Sequence, residues 1–402
     1  MFASRQSQEK KQIGNASSKK RWEQSRRYRE QLPGTRSVWD PRPLASSILS
    51  QTKQVGKPIS WMEPHAQRKP PICSKCPLLL RGLMSLQPGF LGRIASILGL
   101  RKQFSTNKGR IKTMKTYTVV GAMSDVGKKV TQQLEDMGHT VRKVSRSVGI
   151  SIDDDEELLK AFSGADGAYV MIPIDMQAPD LHKREGEIGE KLARAIQTAD
   201  VKRVVLLSSL TGLVNPERAK TSAWGAIMME ERLNKLDIKE IMYFRCAFFM
   251  ENFLKGLDFL EQAKNGSFVT AFRSDVAMPM IACTDIAERV VEALTTETFR
   301  EVGTRELQGA RDYTMAEATQ ILATALGKSE IKYRQAPIEE AHKAMISAGV
   351  SSSFAEAVME TARSFNKGNS MALEKRSPEN TTKTTLEQWA IEQFGKGKTG
   401  ML

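Results

Sequence analysis

The residues with the clearest chemical use lie in the stretch Lys115 to Gly127, KTYTVVGAMSDVG. Tyr117 to Val120 form an apolar run that stops at a glycine, and from Val126 apolar residues recur at Val130, Leu134 and Met137, the spacing of one helical face. A buried strand is therefore predicted to meet a helix through a glycine turn. The first turn of a helix carries unpaired N–H groups and the positive end of the helix dipole, so such a junction can hold a phosphate. Gly121 lets the chain leave the strand, and Gly127 lets the helix approach the sheet closely. Ser124 stands where bare backbone would best approach a pyrophosphate, so its Cβ is expected to hold that group off or its hydroxyl to bond it. Gly121, Ala122, Met123, Ser124, Asp125, Val126 and Gly127 thus form a candidate phosphate-binding loop; the alternative is a plain strand-to-helix turn.

A loop of this kind needs a sheet and helices to hold it, and from Met114 the chain alternates strand-like and helix-like segments. That pattern predicts an α/β protein with a Rossmann-like, doubly wound parallel sheet. His139 to Ser145 reads as the second strand with Arg146 at its carboxyl end, followed by a short edge strand Gly149 to Ile152 and an acidic helix start at Asp153. Gly167 to Ile172 is a buried strand stopped by Pro173, then come a helix from about Asp180 to Thr198 and the continuously apolar strand Val204 to Leu207. A helix at Ser222 to Leu236, a strand at Glu240 to Arg245 and a helix near Glu251 follow. From Phe268 the texture changes to short strands, SFVTAF, VAMPMIAC and RELQG, with helices at Met315 to Leu326, Ile338 to Ala348 and Phe354 to Phe365. The expected organisation is a nucleotide-binding domain over 114–267, a smaller α+β lobe for substrate or partner over 268–395, and a short tail, 396–402.

Charge separates residues 1–113 from the rest. They contain 23 Lys and Arg and 5 Asp and Glu, a net of +18, which leaves −4 for the other 289 of the 402 residues in a chain of net charge +14. The basic character therefore points to no nucleic-acid partner for the folded part. Residues 1–113 show no sustained periodicity and are expected to be mostly disordered, apart from a possible amphipathic helix with Leu83, Leu86, Phe90, Ile94 and Leu98. They read as an over-extended gene start before Met114, with organelle targeting or a basic surface anchor as alternatives. No apolar run is long enough to span a bilayer. Cys73 and Cys76 lack a second ligand pair, His65 being the nearest candidate, so no metal site is expected; Cys246 and Cys283 lie in apolar runs as small core residues. The expected compartment is a reducing one, the cytoplasm.

In order along the chain, VVGAMSDVG, VRKVSRS, FSGADGAYVMIP, VKRVVLLSSLTG, MMEERLNKLDIKEIMYFRCAFFMENF, MPMIACTDIAERVVEAL and RSPENTTKTTLEQWA make residues 114–394 resemble the NmrA-like family, an atypical branch of the short-chain dehydrogenase superfamily. The resemblance implies an NAD(P) site in the loop crevice. The superfamily usually reads GATGxxG where this chain has GAMSDVG. On the family's pattern Arg146 falls where a basic residue meets a 2′-phosphate, which favours NADP(H) over NAD(H). Asp153 falls near the adenine, with helix N-capping as the structural alternative. Ile172 and Pro173 fall along the adenosine ribose, and Ser208 beside the nicotinamide.

The superfamily's tyrosine-based members use Tyr-x-x-x-Lys to protonate a carbonyl oxygen during hydride transfer. The corresponding segment here, Trp224 to Met228, reads WGAIM and has neither residue. No catalytic residue is assigned from the sequence: Lys220 is near but could be solvated, Tyr243 sits in a strand, and His182 follows the turn IPIDMQAP where it faces either the crevice or solvent. The resulting expectation is an NAD(P)H-dependent reductase of a quinone or another small electrophile. The alternative is a dinucleotide sensor without turnover that acts on a regulatory protein partner.

Overall fold

The structure is a computed structural model that describes residues 113–212, 221–296, 302–328 and 330–395. The expectations for residues 1–112, with Cys73 and Cys76, and for Lys220 lie outside the described residues. Strands β1 (Thr116–Val120), β2 (Thr140–Val144), β3 (Gly167–Val170), β4 (Arg203–Ser209) and β5 (Glu240–Cys246) are joined by helices α1 (Asp125–Asp136), α2 (Asp155–Phe162), α3 (Leu181–Thr198) and α4 (Trp224–Leu233). All pairs are parallel, in the order β2, β1, β3, β4, β5, with the strand Val302–Leu307 sixth beside β5. The strand order reverses between β1 and β3, and crevices for ligands open outside the carboxyl ends of strands at such a switch point.

Alternation along the strands divides the core into two layers. Tyr117, Val119, Tyr169, Val205, Phe244 and Cys246 face α1 and the helix Cys283–Thr295. Val120, Ala168, Val170, Val204, Leu206 and Ile241 face α2, α3 and α4. Buried on both sides, these strands are apolar throughout, which made them legible. A third cluster, with Phe248, Phe253, Phe259, Phe268, Phe272 and Phe365 in edge-on and tilted ring contacts, forms the core of the smaller α+β part.

Two elements differ from the sequence reading. Gly149 to Ile152 forms no strand: after the short 3-10 turn Arg146–Val148 it contributes a single antiparallel bridge between Ser145 and Ile150. The segment containing RELQG, expected among the strands of the smaller lobe, is the sixth strand of the main sheet, with Arg245 opposite Glu306. Its half-exposed, charged sequence is that of an edge strand, and pattern alone does not say which sheet an edge strand joins.

Candidate functional site

The glycine loop closes at the carboxyl end of β1. Gly121 has φ +70°, and a Cβ there would stand 2.4 Å from Sδ of Met171. A Cβ on Gly127 would stand 2.1 Å from the backbone oxygen of Gly121. Ser124 is the N-cap of α1, extended at φ −72° and ψ 167°, and its Oγ accepts from N–H of Gly127 at 3.0 Å. The side chain expected to stand toward a pyrophosphate is therefore bonded back onto the first turn of the helix, with its own proton still able to donate. N–H of Ser124 donates to the oxygen of Gly121 at 2.8 Å, while N–H of Met123, Asp125 and Val126 reach no acceptor among the described residues. Ala122 and Val126 point into the core, so only their backbone faces the crevice, and Met123 is exposed. Lys255 pairs with Asp125, which offsets the charge of that carboxylate beside the loop. Because Ser124 supplies a cap, Ser124→Ala should lower unfolding free energy by about 1 kcal/mol and Ser124→Gly by a few tenths, measured by denaturant titration.

The three cations of RKVSR part company. Arg142 donates to backbone oxygens of Lys160, Ala161 and Ser163, and Lys143 pairs with Glu135 at 2.8 Å. Arg146, at the end of β2, is exposed and makes no hydrogen bond or ion pair among the described residues. Its charge reaches Asp153, whose carboxyl accepts two hydrogen bonds from Arg184, at 2.9 and 2.6 Å, and is held below its usual range first by that bonding. The cap of α2 is the neighbouring Asp154, not Asp153. Arg184 went unnoticed in the sequence because it is one charge among several in LHKREGE, with nothing to mark it. Beyond β3, Ile172 is buried and Pro173 half-buried.

Ser208, buried near the end of β4, gives its hydroxyl to the carboxylate of Glu230 from α4. Glu230 is 6% exposed and also receives Nε and Nη2 of Arg245, at 3.0 and 2.6 Å, from the end of β5. Beside Arg245 stands the buried Glu306, whose carboxylate accepts from N–H of Leu373 at 2.7 Å and Glu374 at 2.8 Å; burial pushes this carboxyl above its usual range. The sequence showed these charges but not that four elements bring them together. Tyr243 is core, as expected, its hydroxyl bonded to Oδ1 of Asn234 at 3.0 Å and its phenol pushed up by burial. Trp224 opens α4, and the ring of His182 from the first turn of α3 lies 5.2 Å from it. Cys246 and Cys283 are buried free thiols. Among the described residues no cluster of His, Cys, Asp or Glu could hold a metal ion, and no helix is long and apolar enough to cross a membrane.

A parallel sheet wound on both faces, with a glycine turn at its switch point, places the chain among Rossmann-like α/β proteins. More narrowly, it belongs to the NmrA-like family, whose model matches residues 113–393. Among solved structures it is similar to the triphenylmethane reductase of a Citrobacter species (19% identity, 70% of this chain and 99% of that one, TM-score 0.54). It is also similar to an NADPH-dependent quinone oxidoreductase from Escherichia coli, solved with NADPH (19% identity, 69% and 99%, TM-score 0.55). A nucleoside-diphosphate-sugar epimerase from Staphylococcus aureus stands at 18% identity, 69% and 100% coverage, and TM-score 0.54. At these identities the likeness is one of fold. Among curated proteins none matches the chain.

Proposed function

We propose that the chain is an NADP(H)-binding reductase that delivers hydride to a quinone or another small, easily reduced acceptor. The observation that carries this is the set of N–H groups of Met123, Asp125 and Val126 at the switch point, without acceptors among the described residues, with the exposed cation of Arg146 at the end of the adjacent strand. The residues present suit a dinucleotide: the turn at Gly121 and the close packing at Gly127, where a Cβ would meet Met171 and the oxygen of Gly121, seat the first turn of α1 directly at the end of β1, with its N–H groups turned outward. In this reading the loop Gly121 to Gly127 holds the pyrophosphate, Ile172 and Pro173 flank the adenosine, Arg146 meets the 2′-phosphate, and Ser208 lies toward the nicotinamide. Asp153 does not compete for the ribose hydroxyls, as an acid there would in an NAD-selective site, because Arg184 holds both of its oxygens. The bound cofactor supplies the hydride. The chain orients it, and the absent Tyr and Lys do not exclude turnover, because an easily reduced acceptor does not depend on that pair for its proton. Solved relatives of the same fold include reductases of dyes and quinones, which supports the choice of acceptor.

The test is cofactor choice. A guanidinium can form a charge-assisted fork with a phosphate, and losing one costs on the order of 1.5–3 kcal/mol. Arg146→Ala should therefore weaken NADPH binding about ten- to a hundred-fold and leave NADH nearly unchanged, measured by fluorescence titration. Equal loss for both nucleotides would remove Arg146 from the phosphate role. Binding of NADPH without turnover of any member of a quinone panel would leave a sensor in place of an enzyme.

A further inference from the structure

On the resemblance drawn from the sequence, Trp224 stands where tyrosine-based members of the superfamily keep their proton donor, and a titratable group stands against it. His182, in the first turn of α3, lies with its ring 5.2 Å from that of Trp224 at an interplanar angle of 47°. Its Nδ1 is 3.3 Å from Oε2 of Glu185, a carboxylate only 2% exposed. The same oxygen accepts N–H of Gly225, at the start of α4, at 3.2 Å. Glu185 thus ties the amino ends of α3 and α4 together, and both follow strands whose carboxyl ends border the crevice. An imidazole anchored at Nδ1 presents Nε2 outward, and Nε2 of His182 has no hydrogen bond among the described residues while the side chain remains 28% exposed. The helix Ser352–Asn366 meets the same corner: Ser353 accepts N–H of Leu181 at 2.9 Å, and N–H of Ser351 donates to the oxygen of Met176 at 2.8 Å. The ring therefore sits in the seam between the sheet and the smaller lobe.

We propose that His182, positioned by Glu185, is the proton donor of the reaction and that the indole of Trp224 is the flat wall against which a planar acceptor rests. The inference rests on the reductase reading. As hydride adds to a quinone, one carbonyl oxygen takes a proton from Nε2 of the imidazolium, so hydride and proton together give the hydroquinone. The imidazole, left neutral, is reprotonated by water. Glu185 touches neither acceptor nor cofactor; it fixes the ring and the tautomer.

The test uses the full chain with NADPH and a para-naphthoquinone. His182→Gln should lower kcat by about ten- to a hundred-fold, within or below the usual range for general acid catalysis, while NADPH affinity by fluorescence titration stays unchanged. Added imidazole should restore part of the rate to His182→Ala. Independently of turnover, the quinone added with NADP+ should slow modification of His182 by diethyl pyrocarbonate, read by mass spectrometry, with His342 as an unprotected control. Turnover by the parent protein with an unchanged kcat in His182→Gln, or no protection of His182, overturns the proton-donor assignment and leaves the reductase reading standing. A parent protein that binds NADPH and reduces no quinone overturns the reductase reading, and this assignment with it.

Discussion

Replacing Gly127 by alanine is expected to separate helix α1 from the turn it rests on and to abolish dinucleotide binding. The added methyl would stand 2.1 Å from the backbone oxygen of Gly121 and 2.9 Å from Oγ of Ser124. The first neighbour is backbone, which cannot rotate away. The helix must shift, and with it the N–H groups of Asp125 and Val126, whose direction is what the loop offers to an anion. Overpacking of this kind costs roughly 1–3 kcal/mol, so the protein should still fold, with a melting temperature several degrees lower. Calorimetry and NADPH titration measure both effects. Alanine accepted with unchanged affinity would mean that the close approach is not what the site requires.

The second large effect is expected at Glu230. Its carboxylate is shared by the hydroxyl of Ser208 and two nitrogens of Arg245. Glu230→Ala leaves a guanidinium and a hydroxyl without an acceptor where α4 meets β4 and β5. Breaking a buried pair from one side costs on the order of 3–5 kcal/mol. Arg245 retains some exposure, 27% of its side chain, and Glu306 stands beside it, so the lower end of that range applies. The double variant Glu230→Leu with Arg245→Met should recover part of the loss, because no guanidinium is left without its carboxylate, while Glu306 loses the nearby cation and keeps only the N–H groups of Leu373 and Glu374. Denaturant unfolding of the two singles and the double gives the coupling directly; strictly additive losses would show that the pair does not act as a unit.

What the sequence disclosed follows from where each signal originates. The strands β1, β3, β4 and β5 were legible because a strand covered on both faces must be apolar along its length, and α1 because Val126, Val130 and Leu134 fall on one helical face. The turn at Gly121 and the close packing at Gly127 were legible because conformation and close approach of this kind are properties that glycine alone confers. Arg184, Glu185, Glu230 and Glu306 were not found, since each is an ordinary charge until tertiary structure buries it or supplies a partner. Gly149 to Ile152 was misread because four residues with two apolar side chains suit a turn and an edge strand equally well. Ser124 was read for what its Cβ would hold off or its hydroxyl would bond in a ligand, and the capping role of that hydroxyl at the start of the helix was missed.

The sixth strand, Val302–Leu307, and the segments stitched to it bear on how the chain is made. Gln308 donates N–H to the oxygen of Asn380 at 2.8 Å and receives N–H of Thr382 at 2.9 Å. Asp285 accepts N–H and hydroxyl of Thr384. Glu251, which accepts N–H of Cys283 at the start of a helix on the main sheet, is itself bonded by the indole of Trp389 at 3.3 Å. Residues 380–389 therefore finish layers begun at β1. During synthesis β1 to β5 emerge well before these partners, and the parallel sheet stands with one flank unfinished until the strand Val302–Leu307 has followed. Completion of the layers behind the candidate site is thus tied to translation of residues more than 150 positions beyond its glycine loop.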